Sequence, residues 1–124
     1  MKLINNLYNI ISREISEPGD VTYKIRLNPG SDIYKAHFPE KPITPGVCIV
    51  QVIVEILSDY MKQNLLLSYV KNVKFLQLVS PETVSIINIG FKKIVYSEED
   101  TISFQAVVFD DNTVFTKAYL QCKI

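Results

Sequence analysis

One long apolar segment constrains the fold of this 124-residue chain more than any other feature. It begins at Val47, directly after Pro45-Gly46, and extends to about Asn64. Its many β-branched residues favour a strand, but the segment is far longer than a typical strand. Its first two turns are apolar on nearly every side, which is typical of a helix buried all round. The segment therefore predicts one long central helix against which the rest of the chain packs.

The remaining apolar segments have the pattern of β-strands separated by turns. Strands are predicted over six segments: Leu7–Ile15, Val21–Leu27, Val70–Leu78, Thr83–Phe91, Ile102–Phe109 and Val114–Cys122. A short helical turn is predicted from Asp32 to Ala36, and the last two strands are predicted to form a hairpin. One buried helix with several antiparallel strands is an α+β arrangement in which the sheet wraps around the helix. No linker or repeat interrupts the chain, so residues 1–124 are predicted to form a single domain.

Charge and composition narrow the class of protein. Thirteen basic and thirteen acidic residues cancel, so no basic face for nucleic acid is expected. No apolar segment reaches the roughly 20 residues of a membrane-spanning helix, and the first residues do not resemble a secretory signal. Cys48 and Cys122 are far apart and lack metal-ligand spacing, which favours buried, reduced thiols. We therefore expect a cytoplasmic protein that spans no membrane and binds neither nucleic acid nor a metal.

The chain's only histidine, His37, lies in the segment that leads into the predicted helix. Histidine changes charge near neutral pH and is the usual general base or acid in enzymes. Prolines at positions 39, 42 and 45 stiffen this loop. Unpaired amides at the following helix N-terminus, around Gly46 and Val47, suit an oxyanion or a polarised carbonyl. A base and an oxyanion donor are thus expected close together; the alternatives are a structural or solvated histidine and a glycine that serves only the turn.

Two polar residues interrupt the apolar half of the predicted helix, Gln51 and Glu55. They are four residues apart and so share a helix face. Either they take part in catalysis, or they hydrogen-bond a facing loop or a second copy of the chain, because buried polar groups need partners.

Two interpretations are also open for four lysines, Lys71, Lys74, Lys92 and Lys93. They form either a docking face for an acidic partner or a solvated strand surface. The aromatic residues Tyr8, Tyr34 and Phe38 are expected to pack.

The loop before the predicted helix resembles a family signature. The hotdog-fold 3-hydroxyacyl-[acyl-carrier-protein] dehydratases of type II fatty acid synthesis carry a His-Phe-Pro-Gly loop, followed by a Pro-x-x-Pro-Gly turn into a central helix. This chain has His37-Phe38-Pro39, then Pro42 and Pro45-Gly46-Val47, at matching spacing. The stretch Val70–Phe75 and the following Val79-Ser80-Pro81 are also similar to strands of the family. The resemblance implies a hotdog fold over most of the chain.

The resemblance also implies a reaction and a set of site residues. The family removes water from a 3-hydroxyacyl thioester on acyl carrier protein and yields the trans-2-enoyl thioester, a reaction that needs no cofactor. By this resemblance His37 abstracts the C2 proton, while the amide of Val47, with Gly46, polarises the thioester carbonyl. Phe38 and Pro45 complete the predicted substrate-binding residues.

At two places the chain departs from the family's pattern. The family has a carboxylate fourteen residues after the histidine and usually a glutamine one turn later, whereas this chain has Gln51 and then Glu55. A neutral amide orients water but does not donate a proton as an acid does, so Gln51 and Glu55 are both candidate catalytic residues. Glu40 stands where the family has a glycine, which predicts either an altered loop backbone or an added charge near the tunnel mouth.

Partners and alternative functions follow from the same resemblance. In the family the histidine and the carboxylate come from opposite subunits of a dimer, and the acyl chain lies in a tunnel at their interface. A homodimer or a trimer of dimers is therefore expected, with acyl carrier protein as the partner that delivers the substrate. The alternatives are a non-catalytic acyl-thioester-binding subunit and a thioesterase, in which a helix carboxylate such as Glu55 activates water. Acyl chain length stays open, as does the choice between fatty acid synthesis and a specialised lipid or polyene pathway.

Overall fold

A helix packed on one face of an antiparallel sheet forms the framework of the protein. The computed structural model describes residues 2–17, 20–36, 40–97 and 99–124. Within these ranges the elements are β1 Tyr8–Glu17, β2 Asp20–Leu27, α1 Asp32–Ala36, α2 Gly46–Met61, β3 Leu66–Phe75, β4 Ile86–Ser97, β5 Thr101–Phe109 and β6 Val114–Lys123. The predicted α+β class is confirmed, as is the short helix at residues 32–36. Neither helix in the described ranges is long and apolar enough to cross a membrane.

The described strands form one six-stranded sheet in the order β1-β2-β4-β5-β6-β3, with every neighbouring pair antiparallel. Its period-two pattern is clearest on β5, where the buried residues are Ile102, Phe104, Ala106 and Val108 and the residues between them are half-buried. One face of the sheet therefore packs on α2, and the other faces outward. β5 and β6 form the predicted hairpin. β1 and β3 lie at the two edges of the sheet.

Two of the strands lie at bounds that the alternation pattern does not predict. β3 begins four residues before the expected start, because Leu66 already pairs with Lys123 on β6. β4 begins three residues later than expected, since the N–H groups of Thr83 and Val84 donate to the carbonyl oxygen of Ser80 in a turn. β4 also continues beyond its expected end, through a bulge in its pairing with β5. Pairing partners and local turn bonds, rather than alternation, set these bounds.

Helix α2 begins at Gly46 and ends at Met61, three residues before the expected end. Pro45 precedes it in an extended conformation, with φ −60° and ψ 144°, and no side chain caps its N-terminus. The helix stops where Lys62 adopts the left-handed conformation, with φ 54°. Its buried side chains are Cys48, Ile49, Val52, Ile53, Val54, Ile56 and Leu57. This β-branched run is helical because the apolar sheet face encloses it, and tertiary burial outweighs the local preference for a strand.

Both cysteines belong to the core as free thiols. Cys48 lies in the first turn of α2 and Cys122 on β6, and both are buried. Burial raises the pKa of the Cys122 thiol to about 11, so this thiol stays protonated at neutral pH. The interpretation of the two cysteines as small buried hydrophobic residues is confirmed.

Candidate active site

The loop that leads into α2 is anchored at Thr44, a buried residue. The Thr44 N–H donates to the carbonyl oxygen of Val79 at 2.8 Å, and its hydroxyl lies 2.8 Å from the hydroxyl of Tyr34. Because Tyr34 belongs to α1, these two bonds hold the loop between α1 and the segment before β4. The described part of the loop is thus tied to its surroundings immediately before the helix begins.

The first two amide groups of α2, those of Gly46 and Val47, are unpaired within the described residues. The N–H groups of Cys48 and Ile49 donate to the carbonyl oxygen of Pro45, at 3.0 and 3.1 Å. Those of Gly46 and Val47 have no acceptor among the described residues. The Val47 side chain is 77% exposed, so this end of the helix is at the surface. Unpaired amides at the positive end of a helix dipole favour a carbonyl oxygen or an anion.

Gly46 also allows β3 to approach this end of the helix. A Cβ atom at Gly46 would lie 2.8 Å from Cζ of the Phe75 ring, which is closer than real Cβ contacts come. The Phe75 ring therefore packs directly against the Gly46 backbone, beside the unpaired amides. The sequence predicts a glycine for the turn, and the structure adds this close contact as a second reason for it.

His37 and Phe38 lie outside the described residues, so their roles as catalytic base and substrate-binding residue stay predictions. Helix α1 ends at Ala36, and the described chain resumes at Glu40. The Glu40 side chain is exposed, so the residue that replaces the family's glycine adds a charge at the surface of this loop.

On α2, Gln51 and Glu55 form a hydrogen-bonded pair. The Gln51 amide donates from Nε2 to Oε2 of Glu55 at 2.8 Å, which confirms that the two residues share a helix face. Three further donors come from the N-terminal segment, defined here as residues 2–8: the N–H of Leu3 at 2.8 Å, the N–H of Ile4 at 3.0 Å and the Tyr8 hydroxyl at 3.0 Å. Each carboxylate oxygen of Glu55 thus accepts two hydrogen bonds from described residues.

Tyr8 is a functional contact that sequence reasoning misses. Its ring is buried, as expected, but its hydroxyl also donates to Oε1 of Glu55. Burial, and after it the nearby Glu55 carboxylate, raise the pKa of Tyr8 far above its ordinary value, so the hydroxyl keeps its proton and acts as a donor. Tyr8 lies 47 residues from Glu55, and the other two donors of the N-terminal segment are backbone amides. Neither a distant partner nor a backbone donor leaves a signal in the sequence.

One turn further along α2, a second carboxylate binds a second buried tyrosine. The Tyr23 hydroxyl of β2 donates to Oδ2 of Asp59 at 2.7 Å, and Arg13 lies 3.5 Å from the same hydroxyl. Burial and the hydrogen bond to Asp59 raise the pKa of Tyr23 to about 12. This pair ties β2 to the C-terminal half of α2.

A groove of about 660 Å³ follows this side of α2. It is lined by the N-terminal residues Lys2, Ile4 and Tyr8, by the α2 face from Gln51 to Asp59, and by residues 62–67, which connect α2 to β3 and begin that strand. From Gln51 to the C-terminal cap of the helix at Lys62 its length is about 16 Å, since each helical residue rises about 1.5 Å. The groove therefore connects the Gln51–Glu55 pair to the edge strand of the sheet.

The groups gathered here are amides, carboxylates and hydroxyls, which suit hydrogen bonding and acid–base chemistry. Within the described ranges, no group of three or more His, Cys, Asp or Glu side chains is placed to hold a metal ion.

The structure divides the four candidate docking lysines between two places. Lys71 and Lys74 lie on β3, whereas Lys92 and Lys93 lie on β4, with β5 and β6 between these strands. Lys74 is instead directly opposite Lys117 of β6. The basic residues of β3 therefore group with β6, and the four lysines do not form one cluster.

Comparison with known proteins identifies the family. The ApeI-like family, described as ApeI dehydratase, matches residues 13–118. The chain therefore belongs to the ApeI-like dehydratase family.

Two curated relatives are dehydratases as well. The 3-hydroxyacyl-[acyl-carrier-protein] dehydratase FabZ of Lactiplantibacillus plantarum is 29% identical over 123 residues, which cover 89% of this chain and 82% of that protein. The enzyme of the same name from Clostridium acetobutylicum is 32% identical over 87 residues, which cover 63% of this chain and 61% of that protein. The predicted resemblance to this dehydratase family is confirmed.

Solved structures show the fold. The dehydratase heterocomplex ApeI:P from Xenorhabdus doucetiae has a TM-score of 0.70 at 17% identity, over 93% of this chain and 96% of that chain. A hypothetical thioesterase with coenzyme A from Streptococcus pneumoniae has a TM-score of 0.62 at 11% identity, over 93% of this chain and 83% of that chain. The chain has the hotdog fold that its sequence predicts, with a helix α2 of 16 residues on the antiparallel sheet.

Proposed function

We propose that this protein removes water from a 3-hydroxyacyl thioester carried on acyl carrier protein and releases the trans-2-enoyl thioester. The observation that carries the proposal is the exposed N-terminus of α2, where the amides of Gly46 and Val47 have no acceptor among the described residues. Such amides stabilise the negative charge that develops on the thioester oxygen when C2 loses a proton. The dehydratase family and the two dehydratase relatives support this reaction class.

In the proposed reaction His37 takes the proton from C2, and the electron pair of that C–H bond forms the C2–C3 double bond. The C3–O bond breaks, and the departing hydroxyl takes a proton to become water. Gln51 hydrogen-bonds this hydroxyl and orients it, because a neutral amide does not supply the proton itself. The proton returns from the protonated His37, so the base is restored and atoms balance as one enoyl thioester and one water.

The groove along α2 is the proposed place of the acyl chain. Its apolar lining comes from Val54 on the helix and from Leu65–Leu67 at the start of β3. Polar side chains line it at both ends, Gln51 and Glu55 at one end and Asp59 and residues 62–64 at the other. A length of about 16 Å accommodates an extended acyl chain of moderate length. The groove reaches the start of β3, where a partner subunit would close it into a tunnel.

Turnover of carrier-bound substrates tests the proposal. We would follow dehydration of 3-hydroxyacyl substrates and hydration of 2-enoyl substrates over several chain lengths, and measure release of free carrier thiol in the same reactions. Interconversion of the two thioesters without thiol release supports a dehydratase. Thiol release without interconversion supports the thioesterase alternative, which the fold neighbour described as a hypothetical thioesterase favours. Acyl binding with neither reaction supports a non-catalytic subunit.

A homodimer is the proposed assembly, formed through β3. This edge strand exposes apolar side chains along its length and just beyond it: Leu66, Leu67, Tyr69, Val70, Phe75, Leu76 and Leu78. β3 has ten residues, and the backbone groups on the side away from β6 are those that other strands readily pair with. Antiparallel pairing of two β3 strands would satisfy those groups and bury the apolar side chains together.

Substitution of Val70 by aspartate is expected to convert this dimer into monomers, because it places a charge in the proposed apolar interface. Sedimentation or light scattering would measure the particle mass. The wild type should have the mass of a dimer or of a trimer of dimers, and the variant the mass of one chain, 14.2 kDa. The matched control is Ile15→Asp on β1, the other edge strand, where Ile15 is similarly exposed. A Val70→Asp variant that keeps the wild-type mass, or an Ile15→Asp variant that also dissociates, would contradict assembly through β3.

The carrier protein is proposed to dock at Lys74 and Lys117. These lysines face each other on neighbouring strands, and like charges in this position repel. Within the described residues the one ion pair found joins Lys35 to Asp32, so no carboxylate neutralises the two lysines there. A negatively charged partner surface would relieve the repulsion. Lys74 also directly precedes Phe75, the residue packed against the N-terminus of α2.

Reversal of one of these charges, as Lys74→Glu, is expected to raise KM for carrier-bound substrate about fivefold with kcat nearly unchanged. A small thioester without the carrier should be turned over at the wild-type KM, since it does not use the docking surface. Lys24→Glu, on β2 at the far side of the sheet, is the control and should leave both KM values unchanged. Equal changes in KM for the carrier-bound and the small substrate would argue against docking here.

A further inference from the structure

We propose that Glu55 is a positioning residue, which fastens the N-terminal segment and the Gln51 amide into one hydrogen-bond network at the candidate active site. The consequence for turnover rests on the proposed function, whereas the network itself does not. The carboxylate at position 55 and the amide at position 51 thereby divide two tasks: Glu55 holds the site together, and Gln51 contacts the substrate.

The bonding capacity of the carboxylate is the first argument. An ionised carboxylate offers about four acceptor positions, and Glu55 fills two on Oε1 and two on Oε2 with donors at 2.8–3.0 Å. To act as an acid, Glu55 would have to carry a proton on one of these oxygens, which would then face a donor. The geometry therefore suits an acceptor that stays in place and does not suit a group that passes a proton to the substrate.

The identity of the donors is the second argument. Leu3 and Ile4 present backbone N–H groups, which only an acceptor can satisfy. The hydroxyl of Tyr8 keeps its proton because burial and the nearby carboxylate raise its pKa. A glutamine at position 55 would turn an NH₂ group toward some of these donors, so a carboxylate is the side chain that serves all four.

The third argument is what the network fixes. The side chains of Leu3 and Leu7 are buried in the core, and the N–H of Leu7 donates to the carbonyl oxygen of Leu3 at 2.8 Å. The segment thus has a defined shape and forms one wall of the groove. On the other side of Glu55, the bond from Nε2 sets which way the Gln51 amide is turned. Loss of the Glu55 carboxylate would remove the hydrogen bonds that connect this wall of the groove to the Gln51 amide.

Hydrogen exchange tests the network without any substrate. In a Glu55→Gln variant, the amide protons of Leu3 and Ile4 are expected to exchange at least about tenfold faster by NMR, because they lose a charged acceptor. The matched control is Asp59→Asn, one turn along the same helix, which should keep wild-type exchange at both amides. Unchanged protection in Glu55→Gln would overturn the proposal. If that variant does not fold, Glu55→Asp, which withdraws the same carboxylate by one methylene, is measured with the same criterion.

A double-mutant cycle tests the positioning role in turnover. Glu55→Gln is expected to lower kcat about tenfold in the wild-type background, and less than about twofold in a Gln51→Ala background, because Glu55 acts through Gln51. Equal losses in both backgrounds would overturn this role, and so would faster exchange at Leu3 and Ile4 with unchanged kcat. Loss of one limb of the pH profile of kcat/KM in Glu55→Gln would also overturn it, since it would mark Glu55 as a proton donor or acceptor.

Failure of the proposed function is distinguishable from failure of this inference. A wild-type protein that turns over none of the thioesters would refute the dehydratase assignment. The exchange rates of Leu3, Ile4 and the Gln51 side-chain amide would then still decide whether Glu55 holds the network.

Discussion

Replacement of His37 by alanine is expected to lower turnover of 3-hydroxyacyl thioesters by about 10²–10⁴-fold, the usual loss when a general base is removed. His37 is the chain's only histidine, so no second imidazole is present in the same chain to take over proton transfer. The proposed reaction uses this residue twice, first to accept the C2 proton and then to return it to the departing hydroxyl. The helix N-terminus and Gln51 would still bind the substrate, so KM is expected to change much less than kcat.

Single-turnover and steady-state rates of purified wild type and His37→Ala would measure this effect, with thermal melting as the check on folding. Lys41→Ala is the matched control in the same loop, because Lys41 is exposed and has no proposed contact with the substrate. Its rates should stay within about twofold of the wild type. A folded His37→Ala protein with near-wild-type kcat would remove His37 from the mechanism, whatever the other variants show.

Substitution of Val47 by proline is expected to lower kcat by about 10²–10³-fold, which is the typical loss for one donor of an oxyanion site. Proline has no N–H, so this variant deletes the proposed donor to the thioester oxygen. The Val47 amide has no acceptor among the described residues, so the substitution breaks no hydrogen bond known in the structure. Gly46 lies before the new proline and tolerates the crowding that proline imposes on the preceding residue better than other residues do.

The control for this prediction is Val47→Ala, which keeps the N–H and shortens a side chain that is 77% exposed. It should retain wild-type kcat and stability. Circular dichroism and thermal melting would establish that Val47→Pro still contains α2. A folded Val47→Pro variant with unchanged kcat would show that the charge on the thioester oxygen is stabilised elsewhere.

The sequence predicts the elements of this fold through burial patterns. The apolar run after Pro45-Gly46 indicates a buried helix in spite of its β-branched residues, because its length excludes a strand. Alternation locates the strands, with β5 found within one residue of its expected start. These predictions succeed because each depends on side chains a few residues apart, whose burial is set by local geometry. The ends of a strand that are set by its pairing with a neighbouring strand, such as the early start of β3 opposite β6, do not follow from such patterns.

The candidate site is predictable to a similar extent. The loop signature and the helix N-terminus predict Gly46 and Val47 as donors, and the spacing of Gln51 and Glu55 puts these two residues on one face of α2. The sequence leaves open whether Glu55 reacts or binds a facing segment. Its partners include the amides of Leu3 and Ile4, which are about fifty residues away in the chain.

Sequence alone thus determined the class of fold, the dehydratase resemblance and the position of the unpaired helix amides, because each is encoded in residue types at short spacing. Tertiary structure alone decided which groups meet Glu55, that the Phe75 ring lies on Gly46, and that Lys74 faces Lys117. The physical reason is the same in the three cases. Such contacts depend on strand order and register and on backbone groups, which bring together residues that no short sequence pattern relates.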